Sequence, residues 1–158
     1  MILESNKIPF YWSEKNVGAY IMRNSLAAIG PADCYAIFDA DDKMFPTYLY
    51  ESLKSGHDVT MTAKINCNEN LKPIQGTRIE SGGAITFTRR ILDALGGFYG
   101  VRVAADGDFM ARIKMAGYEI TEIKEPLYYR RRHPNALTKK SDTGSCIVTG
   151  KQIGRAHV

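Results

Sequence analysis

The chain has 158 residues, 44% of them apolar and 24% charged, which is the size and composition of one globular domain with a real core. Lys and Arg number 21 against 17 Asp and Glu, a net charge of +4, and the one dense basic cluster is Arg130-Arg131-Arg132-His133. Such a balance suits a small anionic ligand better than a nucleic-acid face, so no nucleic-acid partner is expected.

No stretch nears the roughly 20 apolar residues that a membrane span needs, and no signal-peptide pattern opens the chain. Cys34, Cys67 and Cys146 lack metal-type spacing and predict free thiols in a reducing compartment. These features imply a cytoplasmic location, with peripheral attachment at the inner face of a membrane left open.

In chain order, residues 1–15 show no clean period, and Phe10-Tyr11-Trp12 reads as a packing cluster rather than a sugar platform. A helix is predicted to open near Asn16-Val17-Gly18 and to stop at Gly30-Pro31, with Val17, Tyr20, Ile21, Leu26 and Ile29 as its apolar stripe. Arg23 on that helix is either a solvated side chain or a phosphate contact.

Tyr35-Ala36-Ile37-Phe38 then runs into Asp39-Ala40-Asp41-Asp42. The apolar run predicts a buried strand of a mixed or parallel sheet, and ligands of such sheets bind beyond the carboxyl ends of the strands. Three crowded acids repel one another unless a cation neutralises them, and hard oxygen ligands at that density suit Mg²⁺ or Mn²⁺. The alternative is an Asp-rich turn capping the helix that follows Pro46. That helix is predicted to run to Ser55 on a packed face of Tyr48, Leu49 and Leu53.

His57 to Ile65 reads as a strand and Asn66 to Gln75 as a loop long enough to act as a flap. Ile79 to Phe87 is a strand pattern broken by Gly82-Gly83, the mark of a bulge, a tight turn or a backbone approached closely by a ligand. Arg89 to Leu95 is a short helix stopped by Gly96-Gly97, with Phe98 anchoring the next loop. Ala104 to Ala116 is a second helix with a stripe of Phe109, Ile113 and Ala116, ended by Gly117. Asp106 and Asp108 in its first turn suit the helix dipole, and either could also face a site as a general base. Two strands, Tyr118 to Ile123 and Pro126 to Tyr129, lead into the basic cluster.

The order Arg23-Asn24, Asp39-Ala40-Asp41-Asp42, Gly82-Gly83-Ala84, Leu95-Gly96-Gly97-Phe98, Ala105-Asp106-Gly107-Asp108-Phe109, Arg112, Ala116-Gly117-Tyr118 and Tyr129 to His133 resembles the family 2 glycosyltransferases of GT-A fold. The resemblance spans about residues 16 to 138. It implies a GT-A-like mixed sheet flanked by helices, truncated at the N-terminus. The family's opening half, which reads the nucleotide base, has no counterpart here, implying a fragment or a short form and hence a homo-oligomer or a partner chain.

Carried over by position, Asp39 and Asp41 match the D-x-D acids, Asp41 being the direct metal ligand beside Asp42. Gly82-Gly83 match the strand lining the sugar pocket, and Asp106 matches the aspartate that deprotonates the acceptor. Arg130 and Arg132 match donor-binding positions, and His133 an added metal ligand, while Arg23 is a candidate phosphate contact. The resemblance thus implies a Mn²⁺- or Mg²⁺-dependent inverting transfer from a nucleotide-sugar donor to a glycan or lipid-linked acceptor. The alternative is a non-catalytic remnant that serves as an oligomeric binding or assembly module. Residues 1–140 would form the domain and 141–158, rich in Gly, Ser, Thr and Lys, a disordered or expression-derived tail.

Overall fold

A computed structural model describes residues 14–15, 17–75, 80–100 and 105–134. The aromatic cluster at residues 10–12, Cys146 and the tail lie outside the described residues. The element order is α1 (Ala19–Ile29), β1 (Cys34–Ile37), β2 (Lys43–Met44), α2 (Tyr48–Leu53), β3 (Val59–Cys67), β4 (Glu80–Thr88), α3 (Arg89–Leu95), α4 (Ala105–Met115) and β5 (Thr121–Arg131).

The strands form one five-stranded sheet in the order β1-β4-β3-β5-β2. Three neighbour pairs are antiparallel and β3–β5 is parallel. Since β1 and β3 each run opposite to β4, strands β1, β3 and β5 all point the same way. Their carboxyl ends therefore share one edge of the sheet. That direction places every residue discussed below.

Alternation along the strands assigns the two faces. Ile85 and Phe87 of β4, with Val59 of β3, pack under Ile91, Phe98, Phe109 and Ile113 from the α3–α4 region. Here Phe109 stacks on Phe98 at 4.2 Å between centroids and meets Phe87 edge-on at 5.1 Å. The opposite face packs Ala84, Leu127 and Tyr128 against Tyr48 of α2. Burial pushes the Tyr48 phenol's pKa up, an effect partly offset by the neighbouring hydroxyls of Thr86 and Ser52. The chain is thus α/β, a mixed sheet with helices on both faces.

Several sequence expectations are corrected. The acidic strand, expected to be buried, ends the sheet and is only half covered, with Cys34 and Ala36 exposed. On α2 the buried residues are Tyr48 and Ser52, while Leu49 and Leu53 face outward: a single helical turn at this site buries the i, i+4 pair. Ala116 is exposed, because α4 ends one residue earlier.

The two strands expected after Tyr118 are one, Thr121–Arg131, and Pro126 sits where its register with β3 shifts. A proline lacks the ladder N–H, so it is accommodated at such an irregularity. The segment expected as a flap is closed on itself instead: β3 runs on to Cys67, and the Asn68 side chain accepts the N–H groups of Asn70 and Lys72 at 3.0 Å.

The Gly-Gly step is a bulge: between the pairs Met61–Ile85 and Ala63–Ser81, one residue of β3 (Thr62) faces three of β4 (Gly82 to Ala84). Gly83 has φ 97°, and a Cβ there would lie 2.9 Å from the Tyr128 hydroxyl. The close approach is therefore made by Tyr128, whose oxygen also accepts the Ala84 N–H at 3.3 Å.

Phe109→Ala is expected to cost about 3–5 kcal/mol in urea unfolding, as for other fully enclosed aromatics. A loss under about 1 kcal/mol would show that the stacked rings do not organise this face.

Candidate functional site

Beyond Ile37 the chain leaves the sheet edge through Phe38, whose ring meets both Tyr48 and Tyr128 edge-on at 5.5 Å. With Phe38 anchored, Asp39 to Asp42 form a turn closed by the Asp42 N–H on the Asp39 carbonyl at 3.2 Å. Lys43 and Met44 then pair with Tyr129 and Tyr128 on the far side of the sheet. The acidic turn thus spans the sheet's carboxyl edge, where β5 ends in Arg130 to His133.

Each acid has its own partner. Asp39 Oδ1 accepts from Arg23 Nη2 at 3.2 Å, and the same guanidinium donates from Nη1 to Asp106 Oδ1 at 2.7 Å. Asp41 Oδ2 lies 3.0 Å from His133 Nε2. Asp42 Oδ1 accepts the Arg131 N–H at 2.9 Å, which ties the turn to β5.

Desolvation raises the Asp39 pKa, opposed by Arg23 and Arg130 and reinforced by the charges of Asp106 and Asp41. Asp42 is also raised, by burial first, against the Arg131 backbone bond. At both residues burial leads, and the neighbouring carboxylates act in the same direction.

Asp106 owes its position to two clamps behind it. Asn24, next to Arg23 on α1, donates Nδ2 to the Phe98 carbonyl at 2.7 Å and accepts the Phe98 N–H at 2.9 Å. Gly97 (φ 78°) lies so close that a Cβ would sit 2.6 Å from Asn24 Oδ1, so this position requires glycine. Arg112 of α4 binds the carbonyls of Leu95 and Gly97 at 3.0 and 2.9 Å, and Asp108 at 2.9 Å. Together these join α1, the loop after α3 and α4 into one support for the Arg23–Asp106 pair.

The candidate residues accordingly sort as follows. Arg23 pairs with both Asp39 and Asp106, Asp41 pairs with His133, and Asp41, Asp106 and Arg130 all lie within electrostatic reach of Asp39. Gly82 and Gly83 lie on the half of β4 that runs along the same edge. Arg132 is directed elsewhere, to Asn66 Oδ1 at 3.3 Å.

Among the described residues, no three His, Cys, Asp or Glu side chains are arranged to hold a metal. The Asp41–His133 pair does offer an oxygen and a nitrogen donor at one point. Mg²⁺ and Mn²⁺ need no more from a protein when substrate phosphates and water complete the shell.

Asn24 and Tyr128 had no role in the sequence reading. The Arg23-Asn24 dipeptide and the Gly82-Gly83 step were their only signals.

No known family model matches the chain, and neither does any curated protein.

Asn24→Ala is expected to cost about 1–3 kcal/mol, by orphaning both backbone groups of Phe98. Chemical denaturation measures this, and an unchanged midpoint would show that the clamp bears no load.

Proposed function

We propose that the chain is the catalytic part of a metal-dependent inverting glycosyltransferase of GT-A type. It moves a sugar from a nucleoside-diphosphate donor to a hydroxyl of a glycan or lipid-linked acceptor. The observation that carries this reading is the meeting of the acidic turn, Asp106 and His133 at the carboxyl ends of three strands with a common direction. The order of motifs along the chain supports it.

In this reading Asp41 and His133 would hold Mn²⁺ or Mg²⁺, which when bound offsets the charge of the diphosphate. Arg130, beside the acids, attracts the diphosphate and adds to that compensation as the sugar departs. Asp106, in the first turn of α4, takes the proton of the acceptor hydroxyl, whose oxygen attacks the anomeric carbon opposite the leaving group. A single displacement inverts that carbon. The Gly82-Gly83 step of β4 runs along the same edge and would border the sugar.

A second reading has one observation in its favour. Val17, Ile21, Leu26 and Ile29 of the α1 region are exposed, and the neighbouring strand β1 ends the sheet. Such a surface suits an assembly module. A tight oligomer by sedimentation, with no donor hydrolysis under any metal, would favour it over transfer.

The deciding experiment is thermal unfolding with a panel of nucleoside diphosphates and Mn²⁺. One of them is expected to stabilise the fold by about 2.7 kcal/mol at a hundredfold excess over its dissociation constant. Asp41→Asn should abolish that shift with the fold intact, whereas Asp106→Asn should keep it and lose turnover. Absence of a shift with every nucleoside diphosphate at millimolar concentration would remove the transferase reading.

A further inference from the structure

Arg23 joins two carboxylates from different elements, Asp39 after β1 and Asp106 at the start of α4. Its side chain is only 16% exposed, against 57% for Asp39 and 41% for Asp106. The guanidinium lies 5.1 Å from the Tyr20 ring centre and 5.7 Å from that of Phe98, so its back is covered and its fork faces the acids. The adjacent Asn24 holds that stretch of α1 by both of its bonds to Phe98.

The two limbs of the fork differ: 2.7 Å to Asp106 and 3.2 Å to the more exposed Asp39. The Asp39 limb is the weaker, since exposed ion pairs are screened.

We propose that Arg23 is an exchangeable internal counter-ion. A divalent cation competes with it for Asp39, and a diphosphate competes with both carboxylates for the fork. The chemistry follows from the donor types. Guanidinium binds phosphate oxygens two at a time, a geometry that a fork split between two separate carboxylates does not achieve. While Arg23 donates to Asp106 Oδ1, the guanidinium occupies one approach to that carboxylate. Drawing the fork toward a diphosphate opens that approach to an acceptor hydroxyl. This inference rests on the transferase reading for its biological meaning, but the ion exchange itself is measurable without any transfer.

The test uses the full chain and Mn²⁺ alone, at constant ionic strength. Bound Mn²⁺ is read from the loss of the free-ion paramagnetic resonance signal, and thermal unfolding is followed in parallel. Arg23→Gln is expected to bind Mn²⁺ about fivefold more tightly than wild type, because Asp39 loses its competing cation. Its melting point should fall without Mn²⁺ and recover on addition, by more than the wild-type shift. Adding Asp39→Asn to Arg23→Gln should erase the gain.

Equal or weaker Mn²⁺ binding by Arg23→Gln overturns the proposal. Should that variant fail to fold, Asp39→Asn decides: it removes the carboxylate for which Arg23 and the cation compete, so Mn²⁺ should bind more weakly than to wild type, and an unchanged affinity overturns the proposal. Tighter Mn²⁺ binding by Arg23→Gln, in a protein that binds no nucleoside diphosphate, would leave the exchange standing and remove the transferase reading instead.

Discussion

Like charges brought to one edge of a sheet are the constraint from which the rest of this structure follows. Strands β1, β3 and β5 share a direction, and the chain crosses their carboxyl ends on a turn that carries three acids. Nothing in the turn neutralises them, so each counter-charge or donor comes from a distant segment. Arg23 arrives from α1, and the Arg131 N–H and His133 from the end of β5. The compensation is incomplete, because desolvation still outweighs it at Asp39 and Asp42.

That edge is held by parts of the molecule that carry no charge at all. Phe38 wedges between Tyr48 and Tyr128 directly before the acids, so the turn begins from a packed ring. On the Asp106 side, Phe98 and Phe109 stack beneath the first turn of α4, while Asn24 and Arg112 bind the loop that leads to it. An ion pair between two mobile segments would bring little, since ordering both side chains cancels most of the attraction. Here the backbone on each side is already fixed, and the Arg23–Asp106 bond inherits that order.

How much of this was legible in the sequence depends on the range of the interaction involved. Local signals read well. Gly30, Gly96 and Gly117 end their helices, and the strand broken at Gly82-Gly83 is bulged. Arg23, Asp39, Asp41, Asp106 and His133, each singled out from a short local motif, lie near one another in the fold.

The pairings were not legible, because they join residues far apart in the chain. Asp106 lies 83 positions from Arg23, and no periodicity links them. The exposure of β1 was missed for the same reason: an apolar run of four residues reads alike at the centre of a sheet or at its edge, and only the neighbours decide. Hydrophobicity alone points Leu49 and Leu53 inward, whereas α2 buries Tyr48 and Ser52, with the Thr86 hydroxyl beside that of Tyr48.

Asp106 and Asp108 show where a general argument stops and geometry takes over. Both lie in the first turn of α4, and the helix dipole favours each of them equally. Their surroundings separate them. Asp108 turns along its own helix to Arg112, four residues on, an ion pair that also fixes the loop carbonyls. Asp106 turns off the helix, and its partner belongs to α1. A carboxylate present only to satisfy the dipole would have no reason to share a guanidinium with the acidic turn. Sharing it couples the charge on α4 to the charge after β1, so any ion that changes one of them acts on the other. The arrangement makes the acidic turn and the start of α4 a single electrostatic unit rather than two separate motifs.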